Sequence, residues 1–110
     1  MVTPSAGSVV LVPFPFSDLS ASKLRPAIVP AGAGRGDWVL CQVMSNSYAD
    51  PRAIELSDAD FSSGSLQVIS YVRPGKLFTA SQGLITTLIG SLRAEAFERT
   101  IDAVIALLKP

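Results

Sequence analysis

Residues 7–29 read GSVVLVPFPFSDLSASKLRPAIV. Two runs rich in valine and isoleucine, Ser8–Val12 and Ala27–Val29, flank a polar loop that ends in Lys23-Leu24-Arg25-Pro26. Side chains branched at Cβ suit a pleated, half-buried surface, so both runs read as strands. Pro26 fixes the backbone directly after Arg25. The permanently charged guanidinium therefore stands at the mouth of the second strand.

Outward from this stretch, short extended segments dominate, separated by Pro, Gly, Ser and Asp. The second strand has its core at Ala27–Pro30, and Ala31–Asp37 (AGAGRGD) reads as a turn. Trp38–Met44 is apolar on both sides, which predicts a central strand. The loop Ser45–Arg52 leads to a strand at Ala53–Leu56. Ser57–Ser65, punctuated by Asp58, Asp60 and Gly64, suits a turn or one short helical turn. Leu66–Val72 reads as a strand with Leu66, Val68, Ser70 and Val72 on one face. Gly83–Ile89 fits a further strand or an extended connection. One helix is expected, over Leu92–Leu108: Ala94, Phe97, Ile101, Val104, Ile105 and Leu108 recur at three- and four-residue steps. Ser91 would cap it, and Pro110 follows. Strands first and one amphipathic helix last predict a mainly β fold, a curled antiparallel sheet or small SH3-like barrel with a C-terminal helix.

Bulk composition suits one globular domain over residues 1–110, with its core at about 7–108. Of the 110 residues 48% are hydrophobic and 16% charged, so the chain can bury a core rather than remain disordered. Nine basic and nine acidic side chains give a net charge of +0. A sequence-blind nucleic-acid binder is usually basic, so any RNA binding must come from a local cluster of Arg and Lys. The lone Cys41 excludes an internal disulfide and reads as a small core side chain. No apolar run approaches the ~20 residues of a membrane span, and no signal-peptide pattern opens the chain. A cytoplasmic protein is expected.

The chemistry is narrowed by the residues present. The chain has no histidine, which removes the commonest general base and a frequent metal ligand. Asp58 and Asp60 stand in a turn without a matching acidic group, so a solvated turn is expected and no metal or cofactor is implied. Gly32, Gly34 and Gly36 are followed by neither a Lys-Ser/Thr pair nor a helix start, so they read as a hairpin turn rather than a phosphate loop. Such a side-chain set suits a substrate that carries its own nucleophile. In RNA the 2′-hydroxyl can attack the adjacent phosphate, and the protein need only position that phosphate, offset developing charge and help protons move. Arginine matches phosphate oxygens with its planar fork.

Several segments, in order, resemble the MazF/PemK family of toxin endoribonucleases: Gly7–Val12, Lys23–Val29, Val39–Ser45 (VLCQVMS), Phe61–Leu66 (FSSGSL), Ser70–Thr79 (SYVRPGKLFT) and Ile89–Leu92 (IGSL) before a final helix. The resemblance spans about Gly7 to Leu108. It implies the barrel-like sheet shared with CcdB-type gyrase poisons, a homodimer, metal-independent cleavage of single-stranded RNA (mRNA or tRNA), and a cognate antitoxin that occupies the RNA groove. Two other functions fit the same fold: a non-catalytic CcdB-like gyrase-binding toxin, and a catalytically degenerate interaction module.

The resemblance also implies roles for particular residues. Arg25 matches the arginine that contacts the scissile phosphate; the bland reading is a surface arginine at a loop end. Ser45 is the candidate catalytic hydroxyl, or a strand-end serine bonded to its own backbone. An alternative alignment through Asp50–Leu56 puts Arg52 where some relatives carry Thr. Arg73 and Lys76 match basic positions for phosphate or dimer contacts, though an ion pair of Arg73 with Glu55 or Asp60 reads equally well. Lys23 lies beside Arg25. Phe16, in Phe14-Pro15-Phe16, suits base stacking or a lid on the core. Gln42 and Asn46 are candidates for reading base edges.

Overall fold

The structure, a computed structural model, describes residues 3–15 and 22–110. Its strands are β1 (Ser8–Pro15), β2 (Ser22–Gly34), β3 (Asp37–Met44), β4 (Ile54–Leu56), β5 (Phe61–Gly64), β6 (Ser70–Ser81) and β7 (Thr87–Leu92), followed by helix α1 (Ala94–Leu108). They form one antiparallel sheet in the order β4-β6-β3-β2-β1-β7-β5. β3 is central, as its two-sided apolar sequence predicts. Among the described residues no helix is long and apolar enough to cross a membrane.

Both faces of the central strands are covered, which is why their sequences are nearly continuous in apolar residues. Val9, Ile28, Cys41, Val43 and Val72 point into one cluster, closed by Leu92, Phe61 and Ala96 of α1. Val10, Val12, Ala27, Val29 and Leu40 point into the other, closed by Ala80 and by Ile85 of the β6–β7 connection. Cys41 is a core residue as expected. Burial pushes its thiol up to about 12, so it stays protonated, and the thiol donates to the Arg73 carbonyl at 3.2 Å.

The curl comes from bulges, which bend a strand and increase its twist. In the β2–β3 ladder the register shifts between Ile28 and Ala31, where Pro30 has no N–H to offer. In the β3–β6 ladder Cys41 faces Leu77 while Val43 faces Val72, so Pro74-Gly75 are accommodated inside a twelve-residue strand. The sequence reading treated both as strand ends. β2 in fact continues to Gly34, and the predicted turn at Ala31–Asp37 shrinks to Arg35-Gly36, both left-handed (φ 56° and 79°). That is the backbone of a tight hairpin whose twist matches its strands.

Three other expectations are corrected. Leu66–Ile69 is not strand: Gln67 is left-handed (φ 66°), and Val68 and Ile69 are 62% and 54% exposed despite their alternation. Phe61–Gly64 is a strand rather than part of a turn, preceded by one short helical turn at Asp58–Asp60. Ser91 belongs to β7, and Arg93 takes the N-cap position of α1. The helix is seated by Ala96 and Thr100, whose hydroxyl donates to the Ala96 carbonyl at 3.1 Å and so is buried without loss. Of the predicted apolar stripe, Phe97, Ile101 and Val104 are half-buried, whereas Ala94, Ile105 and Leu108 are exposed.

Candidate functional site

Leu11 of β1, Arg25 and Pro26 of β2 and the C-terminal end of β3 line one side of a cleft. Val12 pairs with Arg25 and Leu11 with Pro26, while the β2–β3 ladder stops at Ala27 opposite Gln42. Arg25 and Pro26 thus lie just beyond the β3 pairing, next to the strand end Met44-Ser45. The β5–β6 connection, residues 65–69, and Ser70 at the start of β6 face them. Between these walls lies a cleft of about 360 Å³. Leu11, Val43 and Ile89 contribute apolar surface. Arg25, Ser45, Ser65, Gln67 and Ser70 contribute the polar side chains.

The structure therefore brings Arg25 and Ser45 to one site. Lys23 is exposed two residues before Arg25, a spacing that returns to the same face of a strand. Asn46 is exposed next to Ser45, and its Oδ1 accepts the Tyr48 N–H at 2.7 Å. Gln42 is half-buried opposite Ala27 and does not line the cleft. Lys76 is exposed on β6 and does not line it either. Phe16 lies outside the described residues. Sequence reading missed Ser65, Gln67 and Ser70. The serine-rich run Ser62-Ser63-Gly64-Ser65 was the available signal of a polar connection there. Ser65 donates to Asp58 and accepts the Gln67 N–H at 2.8 Å. Ser70 donates to the Val68 carbonyl at 3.2 Å. The facing wall is thus propped from within.

A second hollow of about 300 Å³ lies between Ser57–Ala59 and Gln67–Ile69. It has Asp58 and no basic side chain in its lining, which disfavours a phosphate. The Arg25 cleft is the better anion site.

Arg73 has an acidic partner, but not Glu55 or Asp60. Its Nε meets Asp50 Oδ2 at 3.2 Å, whereas Asp60 is engaged by Arg99 at 2.8 Å. The backbone N–H of Arg52, then the Arg73 guanidinium, hold the Asp50 carboxyl below its usual range. Desolvation pushes the Asp60 carboxyl up. The Ser57 backbone N–H and Arg99 outweigh it, so this group too stays low. A carboxyl depressed in the fold stabilises it above the unfolded value and loses that contribution as pH falls through the folded value. We expect the urea midpoint to decline as pH drops below about 3.8, the ordinary carboxyl value. Asp60→Asn should flatten the decline. An unchanged acid limb in that variant would remove the Asp60 contacts from the account.

With the sheet and cleft defined, comparison with known proteins is direct. A MazE–MazF complex from Deinococcus radiodurans superposes with a TM-score of 0.76 at 19% identity, covering 98% of this chain and 97% of that one. The chain has the MazF fold. MazF alone from the same organism gives 0.74 at 20% identity with both chains fully covered. An endoribonuclease in complex with its cognate antitoxin from a mycobacterial species gives 0.71 at 14% identity, covering 98% and 95%. No protein-family model matches the sequence, and no curated protein does. The curled sheet with its C-terminal helix is thus the MazF architecture over nearly the whole chain, as the sequence resemblance implies.

Proposed function

We propose that this protein is the toxin of a toxin–antitoxin pair and a metal-independent endoribonuclease acting on single-stranded RNA as a homodimer. The observation that carries the reading is the cleft itself: the MazF fold, reached at low identity, here holds Arg25 and Ser45 in one site. Arg25 would neutralise the phosphate as charge develops on its oxygens during 2′-hydroxyl attack. Ser45 would orient the scissile group or assist proton movement. Lys23, Asn46, Lys76, Gln42 and Phe16 are the proposed contacts to the flanking RNA. Some structures with this fold are MazE–MazF complexes. A cognate antitoxin over this cleft would cover Val68, a large apolar side chain in its lining that is exposed to solvent.

The test is the product. Incubated with a mixed-sequence single-stranded RNA in excess chelator, the protein should leave a 2′,3′-cyclic phosphate and a 5′-hydroxyl, because the nucleophile comes from the RNA. Fragments bearing a 5′-phosphate would sink this mechanism. An intact RNA would sink the enzyme reading.

A further inference from the structure

By the sequence resemblance Arg73 matches a basic position for phosphate or dimer contacts, but its surroundings differ from those of a residue reaching for RNA. It sits on β6 between Val72 and Pro74, both buried, and its carbonyl accepts from Cys41. The backbone beneath the side chain is therefore fixed. The guanidinium makes three contacts with a single segment of chain. Nε donates to Asp50 Oδ2 at 3.2 Å, Nη1 approaches Met44 Sδ at 3.8 Å, and Cζ lies 5.5 Å from the centre of the Tyr48 ring. That ring distance is within the range of a cation–π contact. All three partners belong to the segment that carries Ser45: Met44 precedes it, and Tyr48 and Asp50 follow in the loop to Arg52.

We propose that Arg73 is a positioning residue, clasping Asp50 and Tyr48 against Met44 so that the 45–52 loop holds Ser45 at the cleft. The proposal rests on the ribonuclease reading of that cleft. The loop needs such a clasp. Tyr48 and Ala49 are consecutive left-handed residues without being glycine (φ 53° and 55°), a conformation that side chains with a Cβ disfavour. Their turns are closed by Asn46 and Asp50 accepting the N–H groups of Tyr48 and Arg52. Asp50 thus serves the loop's own turn and the Arg73 pair at once. The pair also neutralises the charge a phosphate would seek, and a planar guanidinium meets a carboxylate and a ring face together where an ammonium cannot.

Asp50→Asn separates the two roles of Arg73 by sign. If Arg73 held phosphate, removing its competitor would tighten RNA binding. As a clasp, Arg73→Gln and Asp50→Asn should give the same defect. We expect kcat for RNA cleavage to fall about 10- to 100-fold in each, the scale of a small misplacement, with little change in KM. The double variant should be no worse than either single, as for two groups acting through one contact. Binding of a 2′-O-methyl RNA, which lacks the nucleophile, should keep its salt dependence. A lost phosphate contact would lower that slope by about 0.7. Hydrogen exchange on the protein alone should show the 45–52 amides exposed in both variants, while β3 and β6 remain protected and report an intact fold. Tighter binding in Asp50→Asn, a lowered slope in Arg73→Gln, or unchanged loop exchange would overturn the proposal. A wild-type protein that cuts no RNA would instead overturn the ribonuclease reading and any catalytic role for the clasp, leaving exchange to judge the contact by itself.

Discussion

Gly64→Ala should destabilise the protein by about 3 kcal/mol or more, among the larger effects of a single substitution. Gly64 ends β5 with φ 70° and faces Gly90 of β7 across the ladder. A Cβ there would be driven into the Ile89 carbonyl oxygen and would come 2.7 Å from Gly90 Cα. Both are backbone atoms, so no rotamer change relieves the clash. Left-handed backbone alone costs a residue with a Cβ about 1–2 kcal/mol, and the rest comes from prising β5 off β7. That pairing holds Phe61 over the cluster it shares with Leu92 and Ala96. Gly36→Ala is the control: Gly36 is also left-handed (φ 79°), but a Cβ there meets nothing within 4 Å. It should lose only the backbone cost. Urea midpoints of the two variants measure the difference, and equal losses would show that conformation, not contact, governs both.

The same edge of the sheet shows why part of the fold was legible in the sequence and part was not. Two-sided apolar runs such as Trp38–Met44 declare a central strand, because few other environments bury both faces. The β5–β7 pairing gives no such signal. Beyond Phe61 opposite Leu92 its paired residues are only Ser and Gly, and it includes a close backbone approach between Gly64 and Gly90 that only the assembled sheet reveals. Pro74-Gly75 misled for the opposite reason. A proline within an extended run usually ends it, but a bulge absorbs the missing N–H and lets β6 continue. Leu66–Ile69 alternates like a strand, yet only Leu66 packs against the core while Val68 and Ile69 stay in solvent, since one left-handed residue, Gln67, turns the chain away.

The site was legible to a similar depth. Arg25 declared itself through the Lys-Leu-Arg-Pro mouth of β2, and Ser45 through its place at the end of a central strand. Local sequence cannot show that a connection 20 residues later, carrying Ser65 and Gln67, closes the other wall. Nor can it show that Arg73 spends its charge on Asp50. Both depend on which strands become neighbours, and β6 pairs with β3 across 25 intervening residues.

Arg25→Ala should lower kcat for RNA cleavage by about 10²- to 10³-fold, the usual loss when one preorganised charge-stabilising donor is removed from a reacting centre. The sheet should survive. Arg25 is half-buried, and the core around it is formed by Val12, Ala27 and Ile28, so circular dichroism should be unchanged. KM should move less than kcat, because the lost interaction strengthens as charge gathers on the phosphate. Arg25→Lys tests geometry against charge. An ammonium keeps the charge but not the two-pronged fork, so activity should recover only in part. Full recovery would make Arg25 a general electrostatic attractor rather than a donor aimed at the reacting oxygens. Ser45→Ala, measured alongside, assigns the hydroxyl. A drop that adds fully to that of Arg25→Ala would mean independent action. A smaller combined drop would mean that the two side chains serve one step at one phosphate, which is what their shared cleft predicts.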